Sequence, residues 1–302
     1  MRFAHSLYIL LPAFVAAGMA DSALAAGGVG DAYITSDATN IVRAYNGISG
    51  AFIGNHAPSV NGNGQMAIHF GATNNRFLVG HAGLGVDEFT ATGTFIKTYN
   101  PGGGWQWAGI YVPSGNVYIG DMATNDVREY DGNTGAFVRV VCNIVGPSDM
   151  RIGPNGNLYV CSYGGGFLRE VDVATGATIN QVPVPGRPQD VAFLPSGQIL
   201  VATWVPNMVF RFDSSLVLLG TFFGAAWQRP HGIDISPHNG HIYVIDGVTT
   251  QVHEFDPVTF IELNPAWRSP DPEDKIVDIE FRPAGTVTVT PSTWSRLKSL
   301  YR

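Results

Sequence analysis

Three aspartates, Asp149, Asp190 and Asp278, each stand at the start of a short apolar run, and His231-Gly232 stands at the matching place before another. The runs read Ser148-Asp149-Met-Arg-Ile152, Gln189-Asp190-Val-Ala-Phe193, His231-Gly232-Ile-Asp-Ile235 and Val277-Asp278-Ile-Glu-Phe281. Carboxylates gathered from separate runs can hold a divalent cation such as calcium through oxygen ligands, and a histidine beside them can serve as general acid or base. The same carboxylates at strand starts can instead cap backbone amides, which is a purely structural duty. No other nucleophile or phosphate-binding motif competes. Gly102-Gly-Gly104 and Gly164-Gly-Gly166 lack the lysine and the strand-to-helix setting of a phosphate loop, and no G-x-S-x-G elbow occurs.

These residues are positioned by a repeat. The module Gly115 to Val140 holds three strand signals and two turns: Val117-Tyr-Ile, then Asp121 to Asn125, then Val127 to Tyr130, then Asp131-Gly-Asn-Thr-Gly135. Its Val117-Tyr-Ile-Gly strand recurs as Tyr33-Ile-Thr, Phe77-Leu-Val-Gly, Leu158-Tyr-Val-Cys, Ile199-Leu-Val-Ala and Ile242-Tyr-Val-Ile, at a spacing of about 41 to 45 residues, the period of a propeller blade. A preceding apolar strand and two following ones complete four strands per repeat. Aligning the copies puts Met66-Ala67, Ala108-Gly109, Ser148-Asp149, Gln189-Asp190, His231-Gly232 and Val277-Asp278 at the head of the first strand, which lines the central channel. The chain begins its repeats at a second strand, Ala32 to Ser36, and ends them at a first strand, Ile276 to Phe281. Pairing the two ends closes a ring of six blades, an all-β architecture spanning residues 31–290. Val287 to Thr290 is surplus in that scheme, and seven blades is the alternative.

In such a ring the links between blades and the turns from second to third strand share one face. That rule collects Trp105, Trp107, Trp204, Trp227 and Trp267 there, with Tyr163, His56, His81 and His231 beside them, whereas the other face receives mostly Gly, Pro, Asn and Ser. Indole and phenol rings bury much area for few frozen torsions and stack on sugars and other rings, so the set reads as a recognition surface. The competing account is that these rings fill the wedges between blades.

The chain is 302 residues long with 45% hydrophobic and 14% charged residues, enough to bury a large core. A net charge of −7 without clustered Lys and Arg argues against a nucleic-acid partner. Arg2, the apolar run Leu7 to Met19 and Ala23-Leu-Ala25 read as an export signal cleaved after Ala25, so the mature chain is expected outside the cytoplasm, in the periplasm, secreted or at the cell surface, with no spanning segment. Residues 291–302 change to a basic character, with Trp294, Leu297 and Leu300 or Tyr301 on one face of a short amphipathic helix. In an exported protein, Cys142 and Cys161 are expected to form a disulfide where the crossing chain passes from one blade to the next.

At Gly146-Pro-Ser-Asp-Met-Arg-Ile-Gly-Pro-Asn-Gly-Asn-Leu-Tyr-Val160 and Val127-Arg-Glu-Tyr-Asp-Gly-Asn-Thr-Gly-Ala-Phe137 the sequence resembles the NHL-repeat proteins and their six-bladed propeller relatives. The resemblance implies the fold. It leaves activity open, since those relatives include gluconolactonase-type lactonases, streptogramin-type lyases, amidating lyases and non-enzymatic binding proteins. Zinc-dependent amidating lyases use His at the head of several first strands, where only His231 stands here. The lactonase pattern sets Glu, Asn and Asp around calcium, and only the aspartates are found. The favoured reading is therefore a binding module for a carbohydrate, a small cyclic ligand or a partner protein, with a metal-assisted lactonase or lyase at the channel as the alternative.

Overall fold

The computed structural model describes residues 27–58, 60, 64–100, 104–224, 226–268 and 275–284. The expected leader, the surplus segment 287–290 and the basic tail lie outside the described residues. The β-branched and aromatic runs form strands as their period requires, and consecutive strands pair antiparallel in groups of four. Blade 1 is Ile276–Phe281, Ala32–Ser36, Ile41–Tyr45 and Phe52–Pro58; blade 2 is Gln65–Phe70, Arg76–His81, Gly85–Thr90 and Phe95–Tyr99. Blade 3 is Gln106–Tyr111, Val117–Asp121, Asp126–Tyr130 and Phe137–Asn143, and blade 4 is Pro147–Ile152, Leu158–Ser162, Phe167–Val171 and Thr178–Pro183. Blade 5 is Pro188–Phe193, Ile199–Thr203, Met208–Phe212 and Leu218–Phe222, and blade 6 is Pro230–Ile235, Ile242–Asp246, Gln251–Phe255 and Glu262–Asn264. A single bridge, His81 to Gln106, joins blades 2 and 3 into one sheet. No helix among the described residues is long and apolar enough to cross a membrane.

The ends meet as the missing strands require. Ile276–Phe281 pairs antiparallel with Ala32–Ser36, matching Ala32 with Phe281 and Ile34 with Ile279, and the six first strands touch one another in a closed cycle. Burial falls from the axis outward. Second strands such as Val117–Asp121 and Leu158–Ser162 are buried at every residue, because a blade packs on both of their faces, and so they read as continuous apolar runs. Fourth strands such as Thr178–Pro183 are largely exposed. The outer hairpins turn as their residues dictate: Asp131 Oδ1 accepts from Asn133 N at 3.0 Å and Thr134 N at 2.7 Å, and Gly135 takes φ 75°, the left-handed region that glycine enters without steric cost.

The disulfide expectation is corrected: Cys142 and Cys161 are both free. Strand alternation explains why. In Leu158-Tyr-Val-Cys161, Leu158 and Val160 enter the wedge against blade 3, where Cys142 also packs, whereas Tyr159 and Cys161 point into the next wedge, against blade 5. Burial pushes both thiols up, which makes them poor nucleophiles. Thiol titration under denaturing, non-reducing conditions is expected to count two free thiols per chain; none would contradict this packing.

Candidate functional site

Each blade brings three positions to the mouth of the channel. One lies in the link before the first strand, one is the second residue of that strand, and one directly follows the second strand and donates its amide to the link carbonyl. The pairs are Asp37 N to Lys275 O, Ala82 N to Gly64 O, Met122 N to Trp105 O, Tyr163 N to Gly146 O, Trp204 N to Arg187 O and Gly247 N to Arg229 O. In every blade the register of first on second strand slips at this level, for example between Pro147 and Met150 or Pro188 and Asp190, and such bulges re-aim the side chains that follow. In blade 3 the slip falls between Gln106 and Ala108, so Trp107 and Ala108, not Ala108 and Gly109, occupy the place of His231 and Gly232. The sequence alignment is one residue out there, because apolar Val112 reads as the last residue of the strand whereas it opens the turn, donating its amide to Asn116 O as Gly153 donates to Asn157 O.

The mouth carries a closed circuit of four rings. Centroids lie 5.3 Å apart for Trp107 and Tyr163, 5.8 Å for Tyr163 and Trp204, 6.0 Å for Trp204 and His231, and 6.5 Å for His231 and Trp107. Two guanidiniums rest on it. Arg229 lies 4.0 Å from the Trp204 ring, and Arg187 lies 5.5 Å from Trp204 and 5.1 Å from Tyr163, whose hydroxyl accepts from Arg187 Nη1 at 2.8 Å. Each such stack is worth about 0.5–2 kcal/mol. Among the described residues, Arg229 Nε and Trp107 Nε1 are enclosed without an acceptor, so the mouth carries two unpaired donors. Leaving a buried donor unpaired costs about 1–3 kcal/mol. Burial, aided by Arg229, lowers the His231 pKa to about 4, which leaves a neutral imidazole at neutral pH, a poor general acid.

The remaining predicted aromatics go elsewhere. Trp105 is exposed beside the mouth, in the link before blade 3. Trp227 and Trp267 are buried in wedges, Trp227 against His253 and Phe255 and Trp267 against Tyr243. His56 is fully buried between Tyr33 and Phe77, and His81 is fully buried with Nε2 at 3.0 Å from Asp87 Oδ2. The loop rule gives a face, whereas side-chain direction sends these four into the wedges. Arg187 and Arg229 were not singled out from sequence, although an Arg-Pro pair recurs in consecutive links, at Arg187-Pro188 and Arg229-Pro230.

Below the rings, Asp149, Asp190 and Asp278 do converge, around a narrow cavity of about 20 Å³, room for one water. They belong to a larger axial network that sequence reasoning missed. The residues two further along each strand face the same way, adding Arg151, Asp234, Glu280 and, from blade 2, His69. His69 Nε2 meets Asp149 Oδ1 at 2.7 Å and its Nδ1 lies 3.2 Å from Glu280 Oε2; Arg151 Nη1 meets Asp234 Oδ1 at 3.0 Å. The carboxylates also bind amides of the adjacent blade: Asp278 Oδ2 accepts from Ile68 N at 2.9 Å, Asp190 Oδ2 from Ile233 N at 2.7 Å and Asp234 Oδ2 from Phe281 N at 2.7 Å. Burial and the neighbouring Asp149 charge push Asp278 up to about 7, and raise Asp190 well above the usual range. Burial opposes charge on His69 too, yet Asp149 and Glu280 outweigh it and hold the ring protonated.

Ligating atoms of His69, Asp149 and Asp278 lie within 4.8 Å of one another. Calcium needs about six to eight oxygen ligands carrying negative charge. Here both ring nitrogens of His69 are engaged, Asp149 is paired with it, burial and the Asp149 charge raise the Asp278 and Asp190 carboxyls above the usual range, and the Arg151 guanidinium stands beside them. These residues do not fit a divalent cation; they fit a buried staple between blades.

No family model matches the sequence, and no curated protein matches it. Solved structures do. A protein of unknown function from Bacteroides caccae is 15% identical with a TM-score of 0.64, over 82% of this chain and 97% of that one. A chain of the nidogen/laminin complex is 13% identical with a TM-score of 0.68, again over 82% and 97%. A catalytically inactive histidine-to-alanine variant of virginiamycin B lyase from Staphylococcus aureus, with quinupristin, is 13% identical with a TM-score of 0.59, over 82% and 88%. At such identities the likeness is one of fold: the chain is a β-propeller.

A raised carboxyl pKa makes stability depend on pH. Between about pH 4, where an unfolded aspartate ionises, and about 7, where Asp278 does, the folded chain holds a proton that the unfolded chain has released, so stability falls as pH rises. Asp278→Asn removes that contribution. Urea unfolding at pH 4.5 and 7.5 is expected to show a smaller loss over the interval for the variant than for the parent; equal losses would contradict the assignment.

Proposed function

We propose that this chain is an exported, NHL-type propeller that works as a binding module, taking a carbohydrate, a small cyclic ligand or a partner protein at the channel mouth. The observation that carries the reading is the closed circuit of Trp107, Tyr163, Trp204 and His231, capped by two arginines above a cavity that holds one water. A ligand must therefore sit on the rings and not within the channel. Propellers of this shape occur with a protein in the nidogen/laminin complex and with quinupristin in the lyase variant, which supports either size of ligand. Export rests on the leader-like first 25 residues. The metal-assisted lactonase or lyase is disfavoured on two grounds: the axial carboxylates are spent on amides and cations, and His231, its pKa lowered to about 4, is uncharged at neutral pH and so a poor acid and a weak base.

Intrinsic tryptophan fluorescence, titrated with oligosaccharides, cyclic peptides and cell-envelope extract, tests the reading. A saturable change is expected, and Trp204→Ala should weaken it about tenfold or more through lost stacking and buried area, with little change in melting temperature. Titrations that leave the parent's emission unmoved throughout would remove the reading.

A further inference from the structure

We propose that the mouth selects a sugar-sized ring bearing an oxyanion, with Arg187 and Arg229 as the grip; this rests on the mouth being the ligand site. The two arginines occupy the same link position in consecutive blades and share one platform, Trp204. Among the described residues neither guanidinium forms an ion pair with a carboxylate. Asp246, in the second strand of blade 6, accepts from the amides of Gln228, Arg229, Val248 and Thr249 and forms no ion pair with Arg229. Among the described residues, two guanidiniums thus share one indole without an ion-pair partner, in a chain whose net charge is −7.

A guanidinium stacked on an indole has its face occupied and its edge left for hydrogen bonds; Arg187 gives Nη1 to Tyr163 and Arg229 Nε is enclosed, so the remaining Nη donors of the pair are what a carboxylate or phosphate meets. Stacking also fixes the fork before the ligand arrives, which cuts the ordering cost of binding. The orphaned donors of Arg229 Nε and Trp107 Nε1 give the pocket the same bias, toward an acceptor-rich ligand. Polyanions do not fit the same logic. Screening confines the local positive field to about 8 Å at physiological salt, so an extended phosphate chain would meet the acidic remainder of the surface, whereas a single anionic ring would not.

Matched probes test the proposal by indole Nε1–H shifts in NMR titration: galacturonate against its methyl ester, and glucose 6-phosphate against glucose. At least one acid is expected to bind about tenfold or more tightly than its neutral partner, with the preference falling as salt rises and collapsing in Arg187→Gln and Arg229→Gln, whose melting curves verify folding. Acid and neutral partners that bind alike would overturn the charge selection while leaving the mouth a ligand site. If all four probes leave the indoles unmoved but envelope extract shifts them, the inference likewise falls and the binding reading survives. If extract fails too, both fall.

Discussion

Antiparallel pairing of Ile276–Phe281 on Ala32–Ser36 is the constraint on which the rest depends, because it turns a row of blades into a ring. Without it the first strand of blade 2 and the last wedge of blade 6 would face water. Closure removes both and brings six strand heads to one axis, where side chains from blades with no sequence proximity can touch. His69 reaching Asp149 across 80 residues and Asp278 holding the amide of Ile68 across 210 are consequences of that one pairing. Loop closure over such separations is entropically costly, so the ring needs the axial contacts to hold it as much as they need the ring.

The axis and the mouth divide the work. Below, charges are matched to each other and to backbone amides, an arrangement that costs desolvation but fixes how the blades sit, since a displaced blade would strand a buried ion. Above, the matching stops. Aromatic rings meet edge to face or tilted, and among the described residues the two arginines stack without an ion pair and two donors lack acceptors. A surface with its charges paired underneath and donors left over on top has a rigid floor for recognition, and polar valence for a ligand.

Much of the fold was legible in the sequence. Runs such as Leu158-Tyr-Val-Cys and Ile242-Tyr-Val-Ile announce strands buried on both faces, Asp-Gly-Asn-Thr-Gly announces its turn, and the unmatched first and last strands announce closure. The site was legible in part. Asp149, Asp190 and Asp278 converge as their shared repeat position implies, but their partners Arg151, Asp234 and Glu280 lie two residues on, visible only once strand alternation is applied around a ring. Trp107, Tyr163, Trp204 and His231 assemble, whereas Trp227, Trp267, His56 and His81 turn inward, since loop position says which face a residue is near and not which way it points. Cys142 and Cys161 fail to meet for the same reason of parity. The blade 3 offset arose because Val112 is apolar yet opens the turn, and hydrophobicity does not mark where pairing ends.

The central claim separates tryptophans at the mouth from tryptophans in the wedges, and residue-specific NMR of the indole Nε1–H groups measures that separation directly. On titration with cell-envelope extract, the account predicts that Trp107 and Trp204 shift together while Trp227 and Trp267 stay in place. Shifts of Trp227 and Trp267 with Trp107 and Trp204 unmoved would contradict it.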